Sequence, residues 1–452
     1  MRRRTKLTTA ILATLSLSMS VSSFAANDRM ILTGKGHLIG APIPAEAIID
    51  TDSSKMSISD EILSMQDQLS TFRRDLHKIP ELGFDTPRTH AYLTNALKSM
   101  GLEPQNVGDS MGIMVDIKGE DESYTIGIRA DFDGLPILQT NDVEYASEIE
   151  GQMHACGHDA HSAIVLGIAQ LYANKVIKPK TNIRLIFQPA EEIGTGARAM
   201  IDAGVLEGVD SIIGLHVDPT REYGRVGLTP LSWSAFATGF TIEVEGKAAH
   251  AGMAVEEGKD AILVGSYITN QLQSIISRDV AAADAGVVTV ATFSAGTALN
   301  QLSDKAVLSG TTRAATLEDH ELIKKRMAEI VEGASISMDT PIDLNFIVEA
   351  PGTVNNENIY NMAVEAANRV LGEENVDIYM RPGMGGEDFA EYSQLIPAYF
   401  YNLGSANKEK GITAGLHTAD FDIDERALPA GVAMQLEIID AISEYHKSGG
   451  EL

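Results

Sequence analysis

The order of predicted strands and helices changes near residue 232 and changes back near residue 349. Outside that segment, short apolar runs such as 182–187 and 211–215 alternate with helical spacing, which is typical of an α/β layer. Inside it, an alternating strand at 236–245 begins the order β-α-β-β-α-β, which is the split, ferredoxin-like arrangement. The sequence therefore predicts a mixed, mostly parallel sheet flanked by helices, with an inserted ferredoxin-like α+β domain.

Hydrophobic spacing sets the predicted elements and their limits. Helices are predicted over 58–76, 86–100, 160–174, 195–203, 258–276, 317–334, 358–371 and 425–446. Strands are predicted over 112–117, 123–129, 182–187, 211–215, 236–245, 287–293, 305–310, 342–348 and 399–403. The predicted divisions are a signal peptide (1–25), an N-terminal arm (26–57), a main domain in two parts (58–231 and 349–452) and the inserted domain (232–348).

The first residues have the pattern of a secretory signal peptide. The chain begins Met-Arg-Arg-Arg-Thr-Lys, an apolar or small run spans 7–21, and residues 22–26 read Ser-Ser-Phe-Ala-Ala. A positive start, a short apolar stretch and a small-x-small site predict export with cleavage after Ala25. We therefore expect a periplasmic or secreted protein.

The charge balance narrows the range of partners. The formal net charge is -28, and cleavage after Ala25 would remove only basic charges. Such an acidic surface argues against nucleic acid or an anionic membrane as a partner. The acidity otherwise serves solubility, and a small-molecule substrate is compatible with it.

A single cysteine, Cys156, lies in the segment 153–161, which reads Met-His-Ala-Cys-Gly-His-Asp-Ala-His. Without a second cysteine no intrachain disulfide can form, so the thiol is a buried core residue with a packing role only, a nucleophile or a metal ligand. Sulfur, imidazole and carboxylate in one short loop are the composition of a transition-metal site.

Other residues whose side chains can bind a metal ion follow predicted strands. Glu191 and Glu192 come just after strand 182–187, His216 closes strand 211–215, and His417 lies near the carboxyl end of the chain. Ligands bind at the carboxyl ends of strands in an open α/β sheet. Adjacent glutamates also suit metal-assisted hydrolysis, where one carboxylate holds metal and its neighbour takes a proton from water.

Several motifs between residues 58 and 445 together resemble those of a known family. In chain order they are RRxLHxxPEL (73–82), RADxDxLP (129–136), HACGHDAH (154–161), FQPAEE (187–192), GGEDF (385–389) and LH (416–417). They are similar to the di-metal amidohydrolases related to hippurate hydrolase, auxin-conjugate (IAA-amino acid) hydrolases and exported carboxypeptidases.

The resemblance implies a zinc-peptidase-like catalytic domain that carries two divalent metal ions, and a lid that often serves for dimerisation. A homodimer through the lid is thus compatible with the sequence. The residues that match the family's metal ligands are Cys156, His158, Glu192, His216 and His417, with Cys156 bridging both ions. Glu191 matches the general base. The donor set suits zinc and also accepts manganese, cobalt or nickel.

The resemblance also assigns residues outside the ligand set. His250 matches a lid histidine that stabilises the tetrahedral oxyanion, and Asn300 and Arg313 match a pair that grips the substrate's carboxylate or the tetrahedral centre. Asp133 is interpreted as support for a ligand histidine, or else as a turn residue. Aromatic residues make up only 6% of the chain, and the sequence identifies no aromatic acyl pocket.

The sequence thus predicts metal-dependent hydrolysis of the amide bond in an N-acyl amino acid or small peptide with a free carboxylate. A cysteine hydrolase that uses Cys156 is the first alternative, although it gives Glu191, Glu192 and His417 no role. A non-catalytic small-ligand binding protein on the same fold is the second. A chelator distinguishes the metal-dependent hydrolase from the cysteine hydrolase, because only the metal-dependent enzyme would lose activity.

Overall fold

The computed structural model describes residues 56–452. The predicted signal peptide and all but the last two residues of the predicted arm lie outside the described residues, and export stays a prediction. None of the helices in the described part is long and apolar enough to cross a membrane.

The described chain alternates helices with strands. The helices are α1 (Asp60–Leu63), α2 (Gln66–His77), α3 (Pro87–Ser99), α4 (His158–Ala173), α5 (Gly196–Asp202), α6 (Ala261–Ser274), α7 (Leu317–Met338), α8 (Glu357–Leu371), α9 (Ala390–Ser393) and α10 (Ala427–Lys447). The strands are β1 (Gln105–Val107), β2 (Gly112–Ile117), β3 (Asp121–Asp131), β4 (Thr181–Gln188), β5 (Ser211–Glu222), β6 (Val226–Leu228), β7 (Phe236–Glu245), β8 (Gly286–Ala295), β9 (Lys305–Ala314), β10 (Ile342–Ala350), β11 (Val376–Ile378) and β12 (Ala398–Ala406).

The main sheet has eight strands in the order β1-β2-β4-β3-β5-β12-β6-β11. Its four central strands, β4, β3, β5 and β12, pair in parallel, while β1, β2 and the β6–β12 pair are antiparallel. The central strands are buried on both faces, as expected for a parallel layer covered by helices. Their carboxyl ends therefore meet at one edge of the sheet.

A second sheet contains β7 to β10 in the order β10-β7-β9-β8, and every pair in it is antiparallel. Helices α6 and α7 contact this sheet and share a separate hydrophobic core with it. This is the ferredoxin-like arrangement, so the predicted fold class is confirmed. The predicted limits of the inserted domain, 232–348, stay a prediction, and the smaller sheet runs from 236 to 350.

One predicted helix is wrong in detail, because 58–76 contains two helices, α1 and α2. At the break, the backbone N–H of Met65 bonds the carbonyl of Ile62, and the hydroxyl of Ser64 donates to the carbonyl of Glu61 at 2.7 Å. The hydroxyl takes a carbonyl that the helical ladder would otherwise use, which ends the first turn.

Helix α4 lies between α2, α10 and strand β3, and nearly all of its residues are buried. Gly167 permits this close packing. A Cβ atom at Gly167 would lie 2.5 Å from Cδ2 of Leu69 on α2 and 3.2 Å from Cγ2 of Val432 on α10. Both neighbours are fully buried, so neither side chain has free space into which it can move.

We predict opposite effects for alanine at two helical glycines. Gly167→Ala should lower the free energy of unfolding by about 1–3 kcal/mol, because the core is overpacked. Gly333→Ala on α7 should raise it by about 0.5–1 kcal/mol, because no described atom lies within 4 Å of the new Cβ and alanine favours helix. Urea unfolding of both variants measures this, and a stabilised Gly167→Ala protein would contradict the packing argument.

Candidate metal centre

The sequence-predicted ligands come together at the carboxyl edge of the main sheet. Glu191 and Glu192 follow β4, His216 lies on β5, and His158 begins α4. Gly157 shapes the turn before that helix. Its φ is 87°, and a Cβ there would lie 2.3 Å from Cγ2 of Val217, so only glycine fits.

Cys156 is at the centre of the cluster. Its Sγ lies 3.3 Å from Nε2 of His216 and 3.3 Å from Nε2 of His417. Nε2 of His417 is in turn 3.6 Å from Oε2 of Glu192. Five groups of three ligand atoms within 4.8 Å of one another occur among the described residues, and two of the five contain the thiol, Cys156–His158–His216 and Cys156–Glu192–His417.

Backbone carbonyls fix the imidazole orientations. Nδ1 of His158 lies 2.8 Å from the carbonyl oxygen of Asp133, and Nδ1 of His216 lies 2.8 Å from the carbonyl oxygen of Val217. Only an N–H can bond a carbonyl, so Nδ1 carries a hydrogen in both rings. In each ring Nε2 is therefore the nitrogen that faces the cluster and could bind a metal ion.

Asp133 supports the cluster with its side chain as well. Its carboxylate accepts the backbone N–H groups of Glu191 at 3.0 Å and of Glu192 at 3.2 Å. One residue thus orients His158 through its carbonyl and the two glutamates through its carboxylate. The carbonyl of Asp133 makes a shorter contact with Nδ1 of His158 than its carboxylate does, 2.8 Å against 3.4 Å. Its role as support for a ligand histidine stays a prediction.

Two buried atoms of the cluster lack a hydrogen-bond partner among the described residues, namely Nε2 of His158 and Oε1 of Glu192. They lie 3.8 Å apart. A buried polar atom without a hydrogen bond is costly, and a cation bound by both atoms would remove the cost. Sulfur, imidazole and carboxylate donors together suit a borderline transition-metal ion. The residues present therefore fit metal ions.

Burial shifts the titration of the acidic groups. It raises the pKa of the Cys156 thiol well above its ordinary value and that of Glu192 to about 7. Burial, followed by repulsion from Glu387, also raises the pKa of Glu191 well above its usual range. Positive charge in the cluster would counteract these shifts, because it favours the ionised forms.

Sequence reasoning missed a buried ion cluster beneath Glu191. The Arg129 guanidinium is fully buried and donates to Asp131 at 2.6 Å, Glu387 at 3.0 Å and Asp388 at 2.9 Å. The RADxDxLP and GGEDF motifs contain these residues, but only the fold brings the two motifs into contact. Arg129 balances much of the negative charge that the carboxylates bring to this end of the sheet.

The three lid residues lie apart from the cluster in the described chain. The backbone N–H of Ala251, next to His250, donates to the carbonyl of Asn300 at 3.0 Å, so these two predicted residues are neighbours. Neither lines the cavity that contains Cys156. Nε of Arg313 donates to the carbonyl of Met384 at 3.2 Å, which places Arg313 beside a loop of that cavity. The roles assigned to these residues stay predictions.

The cavity has a volume of about 740 Å³ and contains both glutamates and the Cys156 thiol. Part of its wall is apolar, with the side chains of Ile193, Trp233, Val348, Pro351 and Leu416. Trp233 is the chain's only tryptophan. It lies between β6 and β7, in a segment without regular spacing, so no pattern in the sequence marks it as a lining residue.

The chain is similar to known proteins in both sequence and fold. The family described as Peptidase family M20/M25/M40 matches residues 127–441. N-acetylcysteine deacetylase of Bacillus subtilis (strain 168) is 35% identical over 362 residues, which cover 80% of this chain and 93% of that protein. IAA-amino acid hydrolase ILR1-like 4 of Arabidopsis thaliana is 34% identical over 373 residues, which cover 81% of this chain and 84% of that protein. The fold is similar to the crystal structure of a dinuclear metal-binding M20 peptidase from Bacillus subtilis, with a TM-score of 0.74 and 31% sequence identity. The match covers 84% of this chain and 99% of that chain.

Asp133→Asn should weaken metal binding about 10- to 100-fold, the usual cost of removing an outer partner of a ligand. An amide offers one acceptor oxygen, so the N–H of Glu191 or of Glu192 would face an NH₂ group instead. Competition titration with a chromogenic chelator measures the affinity. The exposed Asp142 gives a control, Asp142→Asn, which should bind metal as wild type does. Equal affinities in both variants would contradict the role of the Asp133 carboxylate.

His154 predicts a pH dependence of stability. Both of its ring nitrogens are buried without a partner among the described residues, and burial lowers its pKa to about 3. Below about pH 6.5 the unfolded chain binds a proton that the folded chain excludes, so this contribution to stability falls as pH drops, by at most about 1.4 kcal/mol per pH unit. Urea midpoints in chelator should therefore fall less between pH 7 and 5 for His154→Leu than for wild type. If the urea midpoints of both proteins fell equally between pH 7 and 5, His154 would not be the group that causes the loss of stability.

Proposed function

Because the chain belongs to peptidase family M20/M25/M40 and is a hydrolase, we propose that it cleaves the amide bond of an N-acyl amino acid or small peptide with a free carboxylate. Among its relatives are proteins named N-acetylcysteine deacetylase and IAA-amino acid hydrolase, which supports an N-acyl amino acid as the substrate class. We propose that the reaction requires two divalent metal ions held by the chain's own residues.

The observation that carries this proposal is the pair of ligand groups that share Cys156. One ion would be held by Cys156, His158 and His216, and the other by Cys156, Glu192 and His417. A thiolate between two cations is favoured by both, which accounts for a buried cysteine whose pKa is raised without them. When bound, the ions supply Lewis acidity and bring the pKa of a coordinated water towards neutrality.

Glu191 is the residue that moves the proton. Its Oε2 lies 3.7 Å from Nε2 of His158, so the carboxylate borders the ligand cluster, and neither of the two groups that share Cys156 includes it. From there it takes the proton of the attacking water and delivers it to the nitrogen of the leaving amine. The backbone N–H bond to Asp133 holds Glu191 in this position.

We further propose that Arg313 receives the substrate's carboxylate. None of the described residues that line the cavity is lysine or arginine, while six of them are Asp or Glu. An anionic substrate therefore needs a cation at the rim, and Arg313 contacts the carbonyl of Met384 between two lining glycines, Gly383 and Gly385. Its Nη2 forms no hydrogen bond with the described residues and is free to take a carboxylate oxygen.

The cysteine-hydrolase alternative is disfavoured by the same geometry. A cysteine nucleophile needs a thiolate at working pH, whereas burial raises the pKa of Cys156. His216 and His417 both lie near its sulfur, but Nδ1 of His216 bonds a backbone carbonyl rather than a carboxylate that would stabilise imidazolium.

Two adjacent substitutions should separate proton transfer from metal binding. Glu191→Gln should keep the wild-type metal content and lower kcat about a thousandfold, because an amide cannot accept the proton. Glu192→Gln should lose metal from one position, because it removes a ligand. Metal analysis and steady-state kinetics on N-acetyl amino acids and dipeptides measure both effects. A Glu191→Gln protein as fast as wild type, or an enzyme that retains full activity in EDTA, would refute the proposal.

A further inference from the structure

Trp233 lies directly beside a proposed metal ligand. It is half-buried, it lines the cavity that holds Cys156 and Glu191, and its ring stacks on that of His216 with centroids 6.0 Å apart and an interplanar angle of 28°. A group bound at the ligand cluster must therefore pass close to the indole.

The main chain and the ring of Trp233 are both held in place. Its backbone N–H donates to the carbonyl of Thr353 at 2.7 Å, and its carbonyl accepts from Gly383 at 2.9 Å. The ring packs edge-on against Phe400 with centroids 4.8 Å apart. A ring fixed in this way loses little entropy when a ligand binds against it.

The only polar atom of the indole is already occupied. Nε1–H donates to Oδ1 of Asn402 at 3.1 Å, and Nδ2 of Asn402 donates to the hydroxyl of Tyr379 at 3.2 Å. Trp233 therefore offers the cavity an apolar aromatic surface and no hydrogen-bond donor. Ile193, Val348 and Leu416 add apolar side chains to the cavity wall, and their exposed fractions are 59%, 63% and 36%, respectively.

We propose that Trp233 is a specificity-determining residue that selects N-acyl amino acids with a planar apolar acyl group. The inference rests on the proposed function, because Glu191 defines the amine end of the substrate by giving it a proton. The acyl group of the substrate then lies against the ring of Trp233, beside His216. A stacked planar group contributes up to about tenfold in affinity over a small aliphatic one.

The test uses the full metal-loaded chain and two probes, N-acetyl-L-alanine and N-benzoyl-L-alanine. Because Trp233 is the only tryptophan, selectively excited tryptophan fluorescence reports on this residue alone. We expect the benzoyl probe to change the fluorescence and to bind about tenfold more tightly than the acetyl probe. In Trp233→Leu, the ratio of kcat/KM for benzoyl over acetyl should fall about tenfold with unchanged metal content.

Variants of Asn402 supply the second arm. Asn402→Ala frees the indole N–H and should lower the benzoyl preference. Asn402→Asp should keep the wild-type preference, because the new carboxylate still accepts from Nε1–H of Trp233. The Tyr379 hydroxyl can rotate to donate to the other carboxylate oxygen. Tyr445→Leu removes an aromatic ring outside the cavity lining and is the matched control, for which the ratio should stay at the wild-type value.

An unchanged ratio in Trp233→Leu, with both rates or the metal content reduced, would overturn the proposal and leave Trp233 as a support for His216 alone. A wild-type protein that binds the benzoyl probe tightly but hydrolyses neither probe would refute the proposed function, while the fluorescence result would still support Trp233 as the acyl contact.

Discussion

Four parallel strands that end at one edge of a sheet determine where the chemistry of this protein lies. Strands β3 and β4 stop together, with Asp131 opposite Gln188, while β5 and β12 continue and pair His216 with Asn402. The difference in strand length leaves a step at the sheet edge. The turns that follow β3 and β4 fold into this step. The carboxylates on these turns, such as Asp133 and Glu192, therefore lie beside His216, which is still part of β5.

Collecting so many acids in one place requires a buried cation to balance them. Arg129 performs this role on β3, two residues before Asp131, and contacts Glu387 and Asp388 from the loop before α9. Removing one partner of such a network leaves an uncompensated buried charge, which costs several kcal/mol. The guanidinium thereby ties the last third of the chain to the sheet edge. Charge balance and the joining of the two distant parts of the main domain depend on the same side chain.

The sequence predicted most of the fold because amphipathic periods are local, and it predicted the candidate ligands because they lie in short motifs. Of these ligands, only Glu192 and His216 belong to the end of a strand or to a strand, while Cys156 and His158 lie at the start of α4 and His417 lies in a loop after β12. Strands β1, β6 and β11 were missed because three residues are too few to show alternation. The contacts of Arg129 and the position of Trp233 depend on segments far apart in the chain, so no local pattern indicates them. The same limit applies to the lid, where sequence placed His250 in a role but could not place it in the cavity.

Backbone strain at two turns indicates that the fold imposes the shape of the candidate ligand cluster. Ala190, which precedes the two glutamates, and His417 both have left-handed backbone conformations, with φ of 60° and 61°. Such conformations cost about 1–3 kcal/mol for a residue with a side chain and persist only where the surroundings impose them. Here the carbonyl of Ala190 accepts from Gly196 at 3.1 Å, and the N–H of His417 donates to the carbonyl of Ala155 at 2.8 Å. The second bond joins the His417 turn directly to the Cys156 loop, so the fold itself holds Nε2 of His417 3.3 Å from Sγ of Cys156, although the two residues lie 261 positions apart in the chain.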